Sequence, residues 1–201
     1  MRLVSFDAGG TPRAGLLREG RVLDIWGEAY AGVRESDRTI ETILEGGLLG
    51  ELSNVEDEGI PVEGVDLLPP IGRPGKIVCL SARDYQFKTS QWMPGKVFDG
   101  AAPCGPALVT PDEAGAHDAI EIELRLNGEV MQWASTGDLV HSVPALASYL
   151  STLMTLEPGD LVSTGTPAGV GSRREPRVWL RPGDQVVIRS PQLGTLETRI
   201  A

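Results

Sequence analysis

The chain has 201 residues, 41% of them hydrophobic and 23% charged, enough to bury a core without disulfide or metal staples. Its formal net charge of −10, with basic residues scattered rather than clustered, excludes the electrostatic footprint of a nucleic-acid or anionic-membrane binder. No run of apolar residues approaches a bilayer span, and "MRLVSFDAGG" lacks the features of a signal peptide, so a soluble cytoplasmic protein is expected.

Gly (25) and Pro (15) recur between short apolar runs, a pattern of β-rich architecture. "RLVSF" reads as a strand. "RAGLLREGRVLDIW" reads as a hairpin that turns near Glu19-Gly20 and ends at Trp26. Residues 38 to 51 place Ile40, Ile43 and Leu44 on one helical face, with Gly46-Gly47 as the stop signal. Prolines and glycines between residues 66 and 75 mark a boundary, which divides the chain into a small α+β domain (1–66) and a second domain (67–201).

In the second domain, "EIELRLNGEVMQW" alternates and turns at Asn127-Gly128, a dipeptide that tolerates positive φ. "VPALASYLSTLMTL" carries apolar residues at 143, 146, 147, 150, 153 and 154, the period of a core-facing helix capped by Ser142. "EPGDLVSTGTPAGVG" reads as a turn, a short strand and a glycine-rich loop, and two further strands close the chain in "LRPGDQVVIRS" and "GTLETRI". Cys79 and Cys104 fall outside any CxxC spacing, so neither a disulfide framework nor a zinc site is expected.

The segments "LLPPIGRPGKIVC", "SARDYQ", "GKVFDGAAPCGPALVT", "IELRLNGEVMQ", "STLMTLEPGD" and "STGTPAGVG" follow one another in an order and spacing that resembles the fumarylacetoacetate hydrolase family from about residue 66 onward. The N-terminal "RLVSF" and "GLLREGRVLDI" are similar to that family's small leading domain. The resemblance implies an α+β, β-rich fold, a mixed β-roll with a small N-terminal domain. It also implies dimers, and chemistry on small 2-oxo acids or β-dicarbonyl compounds: hydrolytic C–C cleavage, decarboxylation or tautomerisation.

Carried over position by position, the resemblance assigns Arg83 and Gln86 to the substrate's carboxylate or carbonyl oxygens, where a planar guanidinium can grip two oxygens at once. It assigns Lys96 to developing enolate charge, and the loop Thr164, Gly165, Thr166 to substrate contact. Against these stand the ordinary readings of a solvated loop arginine and a tight connection between strands.

One departure from the family bears on the chemistry. "KIVC" runs directly into "LSARD", where the family carries a tract with a lid histidine, a Glu-x-Glu strand and an Asp four residues before the arginine. Cys79 occupies that Asp position. A thiol is a poor ligand for a hard divalent cation, so no metal or other cofactor is expected, and Cys79 and Asp84 are assigned to the substrate pocket instead. Asp84 and Asp99 flank the retained cations and serve to orient them.

Glu121 and Glu123 form an E-x-E with both carboxylates on one strand face, but their context matches a later strand of the family and reads as solvated charge. Of the two histidines, His117 reads as exposed and His141 as part of a buried segment. Three functional readings follow. The first is metal-independent cyclisation, addition or tautomerisation of an enolisable metabolite in a biosynthetic pathway. The second is a non-catalytic subunit of a complete homologue, and the third is a metal-dependent hydrolase or decarboxylase with relocated ligands. A homodimer, or a hetero-oligomer with a full-length homologue, is the expected assembly.

Overall fold

A computed structural model describes residues 1–27, 30–72, 88, 90, 95, 96 and 100–201. The fold is mixed and strand-rich, built on two curled antiparallel sheets. The first contains β1 (Arg2–Asp7), β2 (Pro12–Arg18), β3 (Arg21–Asp24), β4 (Ile60–Pro61), β5 (Leu67–Leu68) and β6 (Leu108–Val109). They run in the order β4-β3-β2-β1-β5, with β6 also paired to β1.

Each local choice has a physical cause. Glu19 and Gly20 both have positive φ, 50° and 72°, so the two-residue loop between β2 and β3 follows the right-handed twist of its strands. In β1, Leu3, Val4, Ser5 and Phe6 are all buried because both faces of the strand are covered. On one face Leu3 joins Leu16, Leu23, Trp26, Ile40, Ile43 and Leu52. On the other, Val4 and Phe6 pack with Val22 under the segment that carries Val62, Val65 and Leu67.

The helix expected between residues 38 and 51 is shorter. It is α1 (Ile40–Glu45), capped where Thr39 Oγ1 accepts the Thr42 N–H at 3.3 Å. Gly47, at φ 66°, then turns the chain into a 3₁₀ segment, Leu48–Asn54. The break keeps Ile40 and Ile43 in the core and still delivers Leu52 to it.

After the short α2 (Pro111–Ala114), the second sheet is formed by β7 (Glu121–Leu126), β8 (Glu129–Ser135), β9 (Gln185–Ser190) and β10 (Gly194–Arg199), in the order β10-β9-β7-β8. Asn127 and Gly128, at φ 49° and 88°, make the β7–β8 turn. That turn is fastened to the start of β9: Asn127 Nδ2 donates to Asp184 Oδ1 at 2.9 Å, and the Gln185 N–H donates to Asn127 Oδ1 at 2.9 Å.

Two expectations fail in this half. The helix α3 (Val143–Ser151) begins at Ser142, whose Oγ accepts the Ala145 N–H, yet none of its residues is buried, and Tyr149 and Leu153 are 64% and 61% exposed. Its apolar period is present, but no other described element covers the stripe. Residues 161–163 form no strand, because their backbone joins neither sheet; Leu161 packs against the first sheet's core instead. No helix among the described residues is long and apolar enough to cross a membrane.

Candidate functional site

The glycine-rich loop is the best defined part of the candidate site. It is fastened at both ends. Upstream, Leu161 lies against the core cluster of Leu3, Ile40 and Ile43. Downstream, residues 167–174 run beside β8, the edge strand of the second sheet.

The fastening on β8 follows from a bulge. Leu124 pairs with Gln132 and Arg125 with Val130, so Met131 is an extra residue without a partner on β7. Its carbonyl accepts instead from Arg174 Nη2 at 2.6 Å, while Arg174 Nε donates to the Gly169 carbonyl at 3.2 Å. Gln132 Nε2 donates to the carbonyls of Pro167 and Ala168 at 2.9 and 3.3 Å. Glu129 lies 3.8 Å from Arg174 and adds a weak, solvent-screened attraction.

Close approach at this contact requires glycine. Gly169 has φ 99°, and a Cβ there would sit 2.1 Å from the Met131 oxygen. With the carbonyls of 167 and 168 held by Gln132 of β8 and that of 169 by Arg174, Thr164, Gly165 and Thr166 form an exposed stretch. That is the disposition needed to offer hydroxyls and N–H groups to a ligand.

The other expected residues are distributed unevenly. Lys96 is half-buried in a turn. Arg83, Gln86, Cys79, Asp84 and Asp99 lie outside the described residues. His117 is exposed as expected; His141 is exposed too, contrary to expectation, because the segment around it, with Val140 91% exposed, is not buried. Cys104 is half-buried.

The carboxylates of the second sheet do not form a metal site. Both Glu123 oxygens are taken by Arg125, Oε1 by Nε at 2.6 Å and Oε2 by Nη2 at 3.1 Å. These hydrogen bonds hold the Glu123 carboxyl below its ordinary range and raise the guanidinium's pKa. Glu121 is exposed, and no three described His, Cys, Asp or Glu side chains converge. A divalent cation, which needs several hard oxygens at once, does not fit the described donors.

Gln132 and Arg174 were not among the residues singled out from sequence. Their bonds are side chain to backbone; three of the four reach 35 to 43 positions along the chain, and the fourth, from Arg174 to Gly169, spans five. No local pattern encodes such contacts; the one available signal is Gly169, which tolerates the approach.

Comparison with known proteins gives a consistent picture. The model of the fumarylacetoacetate (FAA) hydrolase C-terminal domain matches residues 79–201, and an Rv2993c-like N-terminal domain matches residues 1–70. The chain is 41% identical over 122 residues to the mitochondrial oxaloacetate tautomerase Fahd2a of Rattus norvegicus, and 40% identical over 121 residues to the oxaloacetate tautomerase YisK of Bacillus subtilis. These alignments cover 60% of this chain but only 39% and 40% of the relatives.

Among solved structures, a fumarylacetoacetate hydrolase of Exiguobacterium antarcticum superposes with a TM-score of 0.78 at 22% identity, covering 100% of this chain and 99% of that one. A maleylpyruvate hydrolase of Sphingobium sp. SYK-6, in complex with manganese(II) and pyruvate, superposes at 0.76 with 21% identity, covering 100% and 99%. At such identities the likeness is one of fold. With the family's C-terminal model over 123 of 201 residues (79–201) and its fold in both sheets, the chain belongs to the fumarylacetoacetate hydrolase family.

Proposed function

We propose that the chain catalyses the keto–enol tautomerisation of a small 2-oxo dicarboxylic acid of the oxaloacetate type, without a metal ion. The observation that carries this reading is the 40–41% identity to two oxaloacetate tautomerases over 121–122 residues, together with the family model over residues 79–201, the region that holds Arg83, Gln86, Lys96 and the Thr164–Thr166 loop. Of the reactions the sequence leaves open, tautomerisation needs least. It activates no water, expels no leaving group and changes no oxidation state.

In this reading Arg83 and Gln86 hold a substrate carboxylate and the 2-oxo oxygen. The Lys96 ammonium stabilises the negative charge that gathers on that oxygen as the C3–H bond breaks. Water accepts the C3 proton and delivers a proton to the oxygen, which gives the enol with no net change in protons. The exposed hydroxyls of Thr164 and Thr166 orient the second carboxylate.

The test follows the approach of oxaloacetate to keto–enol equilibrium, with chain that has been stripped by EDTA. Faster equilibration than in buffer, lost by about a hundredfold in Lys96→Met or Arg83→Ala, supports the reading. No acceleration in EDTA, with rate recovered on adding Mg²⁺ or Mn²⁺, favours relocated metal ligands instead.

A second reading has one observation in its favour. Residues 139–156, which include α3, contain no Asp, Glu, Lys or Arg, and the helix buries none of its residues. An uncharged, apolar helix face suits a subunit that pairs with a second copy or with a complete homologue. Sedimentation equilibrium separates them: a dimer that forms alone supports self-pairing, and a monomer that associates only with the homologue supports the hetero-oligomer.

A further inference from the structure

We infer that Gln132 and Arg174 are positioning residues for the candidate site: together they latch the carbonyls of residues 167–169 onto the β8 bulge and so hold the Thr164–Thr166 stretch ready for substrate. The inference rests on the proposed role of that stretch and deepens it.

Three features of the contact carry the argument. First, the latch uses four N–H···O=C hydrogen bonds from two side chains, and three of the four acceptors belong to consecutive loop residues, Pro167, Ala168 and Gly169. A segment whose three successive carbonyls are all engaged by these two side chains has its orientation fixed. Secondly, the fourth acceptor, the Met131 carbonyl, is exposed to Arg174 by the bulge. The bulge is thereby turned into a docking point, and Gly169 allows contact with no room for a Cβ. Thirdly, Leu161 anchors the other end of the same loop in the core of the first sheet.

Between those two anchors, residues 162–166 have no hydrogen bond to another described residue. A short span held at both ends samples few conformations, so a ligand that needs the Thr164–Thr166 groups in one arrangement pays little ordering entropy. Without the latch, the competent arrangement becomes a fraction of the population, and apparent affinity falls by that fraction. Such an effect weakens ground-state and transition-state binding alike, so it acts on KM and leaves kcat nearly intact.

The experiment compares Gln132→Met, Arg174→Met, their combination, Arg174→Lys and Thr166→Ala. Oxalate is titrated by calorimetry in EDTA buffer, and KM and kcat are measured for oxaloacetate tautomerisation. Both Met variants are expected to raise the oxalate Kd and KM by about fivefold to tenfold, with kcat within about twofold of wild type. Arg174→Lys recovers part of the loss. The double variant falls short of the product of the single effects, because both side chains act on one segment.

If Thr166→Ala weakens oxalate binding while both Met variants bind as wild type, whatever their Tm, the latch is structural only and the inference fails alone. If Thr166→Ala also binds as wild type, the loop is not at the site and the role proposed for it falls too. A wild-type chain that neither binds oxalate nor turns over oxaloacetate overturns both readings.

Discussion

The close approach of Gly169 to β8 makes a sharp prediction for Gly169→Ala. A Cβ at this position would lie 2.1 Å from the Met131 oxygen and 3.2 Å from Gln132 Cγ. Ordinary van der Waals contact is far longer, so the loop has to withdraw from the strand. Withdrawal gives up the bonds from Gln132 and Arg174. Individual hydrogen bonds contribute about 1 kcal/mol net, more when one partner is charged, but water replaces part of each at this half-exposed site.

The unfavourable φ of 99° adds about 1 kcal/mol for any residue with a Cβ. Four bonds and the backbone term sum to roughly 5 kcal/mol, an upper bound, since water replaces part of each bond and the loop can detach without unfolding the rest. Gly165→Ala is the control, because φ there is 132° but no atom of the described residues lies within 4 Å of the added Cβ, so among them it reports backbone strain alone. Urea denaturation followed by tryptophan fluorescence, with hydrogen exchange at the amides of Arg173, Arg174 and Val178, reads both effects. Gly169→Ala should be the more destabilising and should lose protection at these amides. Equal effects from the two substitutions would refute the contact.

Other expectations concern the frame. Ile43→Ala, in the first sheet's core, should cost about 2–4 kcal/mol, whereas Tyr149→Ser on α3 should leave the urea midpoint of the monomer nearly unchanged. Parallel urea denaturation of the two variants checks this, and comparable losses would mean that α3 is covered. Thr39→Ala removes the cap of α1 and should cost about 1 kcal/mol by the same assay.

Asp184 supplies a pH dependence. Its carboxyl is held below the usual range, first by the Asn127 amide and then by the Arg181 N–H, so its contribution is complete above its unfolded pKa of about 3.9 and is lost as pH falls through the lower folded value. Asp184→Asn should therefore flatten the fall in stability between neutral pH and the acid range. An unchanged slope in urea titrations at successive pH values would contradict the assignment.

Sequence and structure agree where the controlling interactions are local. Both two-residue hairpin turns, Glu19-Gly20 and Asn127-Gly128, and the cap Ser142 depend on residues within a few positions of one another. The agreement stops where distant parts of the chain meet. Hydrophobic period showed that α3 has an apolar stripe, but not whether anything covers it. The run at 161–163 has strand-like composition, yet Leu161 is used as an anchor in the other sheet's core.

The candidate site divides along the same line. Family motifs placed Lys96 and the Thr164–Thr166 loop on the map, and the structure describes both. The residues that fix the loop, Gln132 and Arg174, needed coordinates, because a bulge at Met131 and a side chain 43 positions away are not visible as a pattern.

In the proposed reaction Arg83, Gln86, Lys96 and the Thr164–Thr166 loop tautomerise a 2-oxo acid without a metal. The most direct measurement is the rate of oxaloacetate keto–enol equilibration by EDTA-stripped chain, wild type beside Lys96→Met at matched concentration. The account predicts acceleration by the wild type and a loss of about two orders of magnitude in the variant, with both proteins showing the same urea midpoint. Equal rates from wild type, variant and buffer would contradict it.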